Sequence, residues 1–221
     1  MVAVERGSAM ALIIVSSDSG QHATVVYEAA ILSGENVLGF ATIGDAEPPT
    51  IFDCPWIGSV TDIAGTQIVR ENDFIIACGS NAQRRQQSEI LIKQGASLRS
   101  VCHPAAIVSP SASIGSGSAL LAGAVVGPRT SLGIGAIVNH AASIDHDCEI
   151  ADYLNVCPGG RLAGCVQAGS NVFVGINASI LQGLKIGKNA VIGAGAVVTR
   201  DVAAGETVIG VPARSITHMQ S

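Results

Sequence analysis

Ninety-six residues, from Ala106 to Asp201, divide into sixteen units of six without an insertion, and few folds can absorb that constraint. The third residue of each unit is Val108, Ile114, Leu120, Val126, Leu132, Val138, Ile144, Ile150, Val156, Leu162, Ala168, Val174, Ile180, Ile186, Ile192 and Val198. Fifteen are branched aliphatics, and the exception is Ala168. Apolar residues scattered at the chain's overall 48 % would fill any of the six registers sixteen times about once in twenty thousand trials, so the period is structural.

Six residues with one obligatory aliphatic match neither the two-residue alternation of a strand nor the 3.6-residue turn of an α-helix. They match a short strand plus a corner, with three units closing one triangular coil. Each aliphatic then points inward and stacks on its equivalent eighteen residues away. The residue two before it is usually small (Ala106, Ala112, Ser118, Ala124, Thr130, Ala136, Ala142, Cys148), as a corner beside a narrow interior requires. Glycine directly after the aliphatic (Gly115, Gly127, Gly133, Gly175, Gly187, Gly193) is expected to supply positive φ at corners. Coils pairing as parallel strands about 4.8 Å apart give a column of about five coils, roughly 26 Å tall.

The first hundred residues follow another rule. Ala11–Ser16 reads as a buried strand, followed by the turn Ser17-Asp18-Ser19-Gly20-Gln21-His22 and a helix from about Ala23 to Leu32, ended by Gly34. Val37–Thr42 and Asp73–Cys78 read as strands, Asn81–Gln94 as a helix before Gly95, and Ser97–Cys102 as a last short strand. Strands alternating with helices imply a small parallel, Rossmann-like sheet. The expected domains are 10–104 and 105–221, with His103-Pro104 as the hinge and Met1–Ala9 either a leader or an early start before the first patterned element at Met10. In such sheets ligands lie beyond the strands' C-terminal ends, where turns feed helix N-termini. Ser19-Gly20-Gln21-His22 and Gly79-Ser80-Asn81 are turns of this kind. The full GxGxxG fingerprint is missing, which favours a sugar nucleotide over a dinucleotide redox cofactor.

A net charge of −5 and the lack of a basic run argue against nucleic acid or a bilayer surface as partner. No segment approaches the roughly 20 apolar residues of a membrane span. The six cysteines form no CxxC, and no histidine stands at metal-ligand spacing; buried, reduced thiols in a cytoplasmic protein are expected, with no metal.

Two of the five histidines fall in Asn139-His140-Ala141-Ala142-Ser143-Ile144-Asp145-His146-Asp147-Cys148. Ile144 points inward, so His146 lies near a corner facing out, where an imidazole can take a proton from an attacking amine or hydroxyl. A carboxylate beside it stabilises the imidazolium. Asp147, inside the corner, is preferred over Asp145 as that partner.

Asp145-His146-Asp147-Cys148, Ile150, Pro158-Gly159-Gly160, Leu162-Ala163-Gly164 and Ile209-Gly210-Val211-Pro212-Ala213-Arg214 together resemble the PglD/NeuD group of hexapeptide-repeat sugar acetyltransferases. The Gly20 turn and Gly79-Ser80-Asn81 with Arg84 extend that resemblance over nearly the whole chain from Ala11. It implies an α/β domain followed by a left-handed parallel β-helix, packed as a homotrimer with active sites between subunits. It also implies transfer of acetyl from acetyl-CoA to the amino group of a nucleotide-linked 4-amino-4,6-dideoxy sugar, in the service of polysaccharide biosynthesis. By this resemblance His146 is the base and Asp147 the acid that raises its basicity. Gly20, Gln21, His22 and Gly79 hold the sugar nucleotide, and Asn139 lies near the sugar. Asn155, Ile176 and Ala194 contact acetyl-CoA, and Lys185, Lys188, Arg200 and Arg214 are candidates for its phosphates.

The chain departs from the family pattern at three places. Asn155 stands where histidine is frequent, Thr42-Ile43 where an acidic pair commonly holds the nucleotide base, and His140 where threonine is frequent. His146 and Asn155 are half a coil apart and face away from each other in one column, so they converge only across a subunit boundary. No cysteine is expected at a site position, which points to direct transfer without an acyl-enzyme. The rival readings are O-acetylation of a sialic or related acid, a zinc hydrolase needing convergent histidines, and a non-enzymatic sugar-nucleotide-binding solenoid.

Overall fold

The computed structural model describes residues 10–17, 20–44 and 54–216. The segment Met1–Ala9, together with Asp18 and Ser19 of the first turn, lies outside the described residues. The chain forms two compact units, one running to Pro104 with Ser116–Ser118, the other comprising Ala105–Gly115 and the residues from Ala119 onward.

In the first unit, β1 (Leu12–Ser16), β2 (Val37–Thr42), β3 (Trp56–Ser59), β4 (Asp73–Ala77) and β5 (Ser97–Leu98) make a sheet in the order β3-β2-β1-β4-β5. Every pairing is parallel. A parallel sheet is covered on both faces, which explains why β1 and β4 are buried at every residue instead of alternating. Its helices are α1 (Gln21–Leu32), α2 (Val60–Ile63), α3 (Gln67–Glu71) and α4 (Asn81–Lys93). Helix α1 buries Ala23, Val26, Ala29 and Ala30, one stripe at helical spacing. Ile13, Val15, Phe74, Ile76, Val60, Ile63, Val69 and Leu91 pack into one core.

Strand β3 and helices α2 and α3 were not expected from the sequence. Residues 54–71 mix small, polar and apolar side chains without a sustained period; α2 is fixed instead by a capping box between Ser59 and Asp62. The expected strand Ser97–Cys102 is also two pieces, β5 and a separate Val101–Cys102. Between them Arg99 pairs with Glu35 at 2.8 Å and with Asp73.

In the second unit the six-residue period becomes two-residue strands joined by turns. The strands stack on three faces. The first face carries Val108, Val126, Ile144, Leu162, Ile180 and Val198, the second Ile114, Leu132, Ile150, Ala168 and Ile186, and the third Leu120, Val138, Val156, Val174 and Ile192. Partners are eighteen residues apart and parallel, for example Ile144↔Leu162 and Val138↔Val156. These aliphatics and most of the apolar residues two before them form one continuous core, in which Ala136, Ala142 and Cys148 are fully buried.

The expectation for glycine is corrected at the corners. The left-handed residue lies three past the aliphatic, at Gly117, Gly123, Gly135, Gly159, Gly183 and Gly195, and equally at Arg129, Ala141, Asp147, Tyr153, Cys165, Asn171, Asn177 and Asn189. Glycine directly after the aliphatic serves close approach instead. A Cβ on Gly127 would lie 2.7 Å from the Asp145 carbonyl carbon and the His146 nitrogen in the next coil.

Candidate functional site

His146 occupies the turn that leaves the first face. Its corner is pinned from both sides along the column: Asp147 N donates to Pro128 O at 2.9 Å, and Cys165 N donates to His146 O at 2.9 Å. From the preceding coil the buried Thr130 hydroxyl donates to Asp145 O at 2.5 Å and accepts from Cys148 N at 3.1 Å. Asp145 turns its carboxylate back to accept from His146 N at 2.8 Å. The backbone that presents the imidazole is therefore fixed by neighbours one coil away on either side, with no reliance on a loop.

The imidazole itself is half exposed, at 49 % of its side-chain area, and its Nδ1 lies 2.7 Å from Asp147 Oδ2. Asp147 is held well below the ordinary carboxylate range, at about 2, first by Arg129 and second by His146. It is ionised near neutral pH and can only accept, so the bond requires Nδ1 to carry a proton, which in the neutral ring leaves the lone pair on Nε2. The ring lies over Gly164, where a Cβ would stand 2.5 Å from His146 Cε1 and 2.6 Å from Nε2. Any side chain there would push the ring off its seat.

Four members of this cluster were not foreseen: Arg129, Thr130, Gly164 and Cys165. The signal was present, since Arg129 and Cys165 are eighteen residues either side of Asp147, and Gly164 is eighteen beyond His146. The expectation that no cysteine occupies a site position is corrected by Cys165, which is exposed beside His146 and Asp147. A ring nitrogen, a carboxylate oxygen and a thiol there lie within 4.8 Å of one another. Such a donor set suits a soft divalent ion, yet both Asp147 oxygens are already taken by the Arg129 guanidinium, whose charge opposes a cation. The expected burial of the cysteines is corrected too. Cys78 and Cys148 are buried, Cys54 and Cys157 are intermediate, and Cys102 and Cys165 are exposed; all six are free thiols.

The remaining candidates of the column lie elsewhere on it. Asn155 is buried in the strand Asn155–Val156 of the third face. Asn139 follows Val138 on that face, with its side-chain oxygen accepting from His140 N at 2.9 Å. Ile176 and Ala194 are exposed and stack one coil apart on the corner leaving the third face, where Gly195 N donates to Ile176 O at 2.8 Å. His140 is on that corner as well, so it and His146 occupy different edges of the column.

In the first unit, Ser16 of β1 pairs with Ala77 of β4, so the two strands end side by side. The strand order reverses between these two strands, which makes this the switch point where parallel sheets open a crevice. Gly20 adopts φ 62 and ends the first turn where α1 begins, with Gln21 exposed and His22 half-buried on the first helical turn. Gly79 has open space where a Cβ would be. Arg84, 1 % exposed, donates from Nη1 to Cys78 O at 2.9 Å and from Nη2 to Asn81 Oδ1 at 2.8 Å, bracing the turn around Gly79. Thr42 is buried and accepts from the Trp56 indole at 3.2 Å.

A parallel α/β unit joined to a column of six-residue coils defines a class of acyltransferase-like proteins, and comparison with known proteins narrows it. Residues 12–91 match the model of the PglD N-terminal domain, and residues 169–200 match that of the bacterial transferase hexapeptide. The acetyltransferase domain of PglB from Neisseria gonorrhoeae, solved with acetyl coenzyme A, is 34 % identical with a TM-score of 0.86, covering 94 % of this chain and 100 % of that one. PerB from Caulobacter crescentus, solved with CoA and GDP-perosamine, is 33 % identical with a TM-score of 0.85, covering 93 % and 96 %. GDP-perosamine N-acetyltransferase of Escherichia coli O157:H7 is 29 % identical over 208 residues, covering 91 % of this chain and 86 % of the relative. The chain belongs to the PglD/NeuD-type family of hexapeptide-repeat sugar acetyltransferases, and its column is the family's left-handed parallel β-helix.

Proposed function

We propose that the protein is an acetyl-CoA-dependent sugar N-acetyltransferase acting on a nucleotide-linked 4-amino-4,6-dideoxy sugar, with His146 as general base. The observation that carries this reading is the exposed imidazole whose Nδ1–H is fixed on an ionised carboxylate, leaving Nε2 to accept a proton. The relatives' complexes with CoA and GDP-perosamine support the substrate class. In the proposed step the sugar amine attacks the thioester carbonyl, and His146 Nε2 takes the proton from the nitrogen as the C–N bond forms. The C–S bond then breaks, and the CoA thiolate is protonated by the imidazolium. Cys165 stands close enough for its thiol to matter sterically, but with a free amine as nucleophile no acyl-enzyme is required.

The crevice between the β1 and β4 turns, with Gly20, Gln21, His22 and Gly79, is assigned to the nucleotide. Helix α1 directs its N-terminal N–H groups toward that crevice, as an anionic diphosphate favours. Asn139 is assigned to the sugar, and Asn155, Ile176 and Ala194 to acetyl-CoA. In one chain the His146 edge and the Ile176–Ala194 edge of the column are different, which supports a homotrimer with active sites shared between subunits. Among the described residues no helix is long and apolar enough to cross a membrane. We place the enzyme in the cytoplasm, in polysaccharide biosynthesis.

General-base help is commonly worth ~10²–10⁴ in rate. His146→Gln is therefore expected to lower kcat by about that factor, followed as release of the CoA thiol with GDP-perosamine as acceptor. Because the side chain is half exposed, the melting temperature should stay within about 2 °C. A variant with undiminished kcat would remove His146 from the chemistry; an ester product would favour O-acetylation.

A further inference from the structure

Asp147 is not held by His146 alone. Arg129, one coil earlier on the same edge, closes a two-pronged pair with it, Nε to Oδ1 at 2.6 Å and Nη2 to Oδ2 at 2.7 Å. Oδ2 therefore serves two donors, Arg129 Nη2 and His146 Nδ1. Both residues stand in the left-handed region at φ 57, and both are corner residues of adjacent coils, so the column sets their spacing. The guanidinium side chain is 67 % exposed. A pair this exposed contributes little to stability. Its two-pronged geometry nonetheless restrains the carboxylate whose Oδ2 receives the imidazole.

Charge points the same way. A lone carboxylate next to an imidazole favours the imidazolium, and a base already protonated cannot accept a proton. The groups that face His146 are Asp145 and Asp147 on its own corner, Arg129 on the preceding coil and Cys165 on the following one. Arg129 offsets one of the two carboxylates directly at the oxygen that touches the ring.

We propose that Arg129 is a positioning residue for the transfer site: it fixes the Asp147 carboxylate against His146 Nδ1 and opposes protonation of the imidazole, keeping the base in its reactive form. The proposal rests on the reading of His146 as general base, and its test separates the two. In the full-length protein, Arg129→Ala and the longer Arg129→Gln are compared with Arg129→Lys, which keeps the charge but not the fork. Two quantities are measured: the acid limb of the kcat–pH profile, and the titration of the His146 ring by NMR, assigned through His146→Gln. With Arg129→Ala or Arg129→Gln, both midpoints are expected to rise together by about 0.5–1 pH unit. With Arg129→Lys they stay within about 0.3 unit while the kcat plateau falls several-fold.

A residue with a merely structural part would lower the plateau or the melting temperature and leave both midpoints in place, which would overturn the proposal. An NMR midpoint that rises while the rate profile stays fixed would support the electrostatic hold of Arg129 and overturn His146 as base.

Discussion

The two units fix their candidate residues by opposite means. In the column, each site residue is neighbour to whatever stands eighteen positions before and after it, and backbone hydrogen bonds between coils fix the spacing. Arg129, Asp147 and Cys165 meet because they are the same corner of three successive coils. In the α/β unit, Gly20 and Gly79 are distant in sequence and follow two strands, β1 and β4, that pair in register. The turn around Gly79 is braced by the buried side chain of Arg84. A periodic scaffold distributes the support of its site over many equivalent bonds; an irregular one concentrates it.

That contrast can be broken most forcefully at Arg84. Arg84→Met removes two charged hydrogen bonds from Cys78 O and Asn81 Oδ1 and should destabilise the first unit by about 2–3 kcal/mol. The same variant should raise KM for the nucleotide sugar several-fold with KM for acetyl-CoA unchanged. Calorimetry and initial rates check both, and a rise in KM for acetyl-CoA alone would contradict the assignment of the turn. A smaller effect is expected at Gly164, whose backbone is not left-handed and so tolerates alanine. Gly164→Ala should leave the melting temperature within about 3 °C but displace the His146 ring and cut kcat about tenfold. Unchanged kcat would mean that the ring's seat is unimportant.

The smallest effect is at Asp147, where the sign of the pH dependence follows from a carboxyl group lowered from 3.8 to about 2 by Arg129 and His146. A folded-state value below the unfolded one contributes stability above the unfolded value, and that contribution fades as pH falls through about 2. The stabilisation lost in Asp147→Asn should therefore persist down to about pH 4 and shrink below it. A difference that vanished between pH 5 and pH 6 would locate the charge pairing elsewhere.

The column was legible because a six-residue period leaves one solution for the interior, and the same arithmetic put His146 on an outward edge. Two features of the column are invisible within a single six-residue unit. The glycine after the aliphatic is there because the next coil passes close to it, not for positive φ. Arg129 and Gly164 reach Asp147 and His146 only through the eighteen-residue step between coils, which a choice between Asp145 and Asp147 within one corner does not include. In the α/β unit, β1, β2, β4 and both long helices were visible as apolar runs and capped segments. Strand β3 and helices α2 and α3 were not, because their residues owe their conformation to packing on β2 and to a local cap, neither of which leaves a period.

One feature of the column bears on how such a chain can vary. Because coils are equivalent, an extra stretch of eighteen residues placed beyond Gly183 lengthens the prism by one storey and leaves the histidine edge untouched. A six-residue addition between Asp147 and Gly164 would swing Gly164 round to a neighbouring edge and leave the imidazole without its floor. Lineages of this architecture are thus free to grow or shrink by whole storeys, while the few storeys around His146 admit no change of length at all.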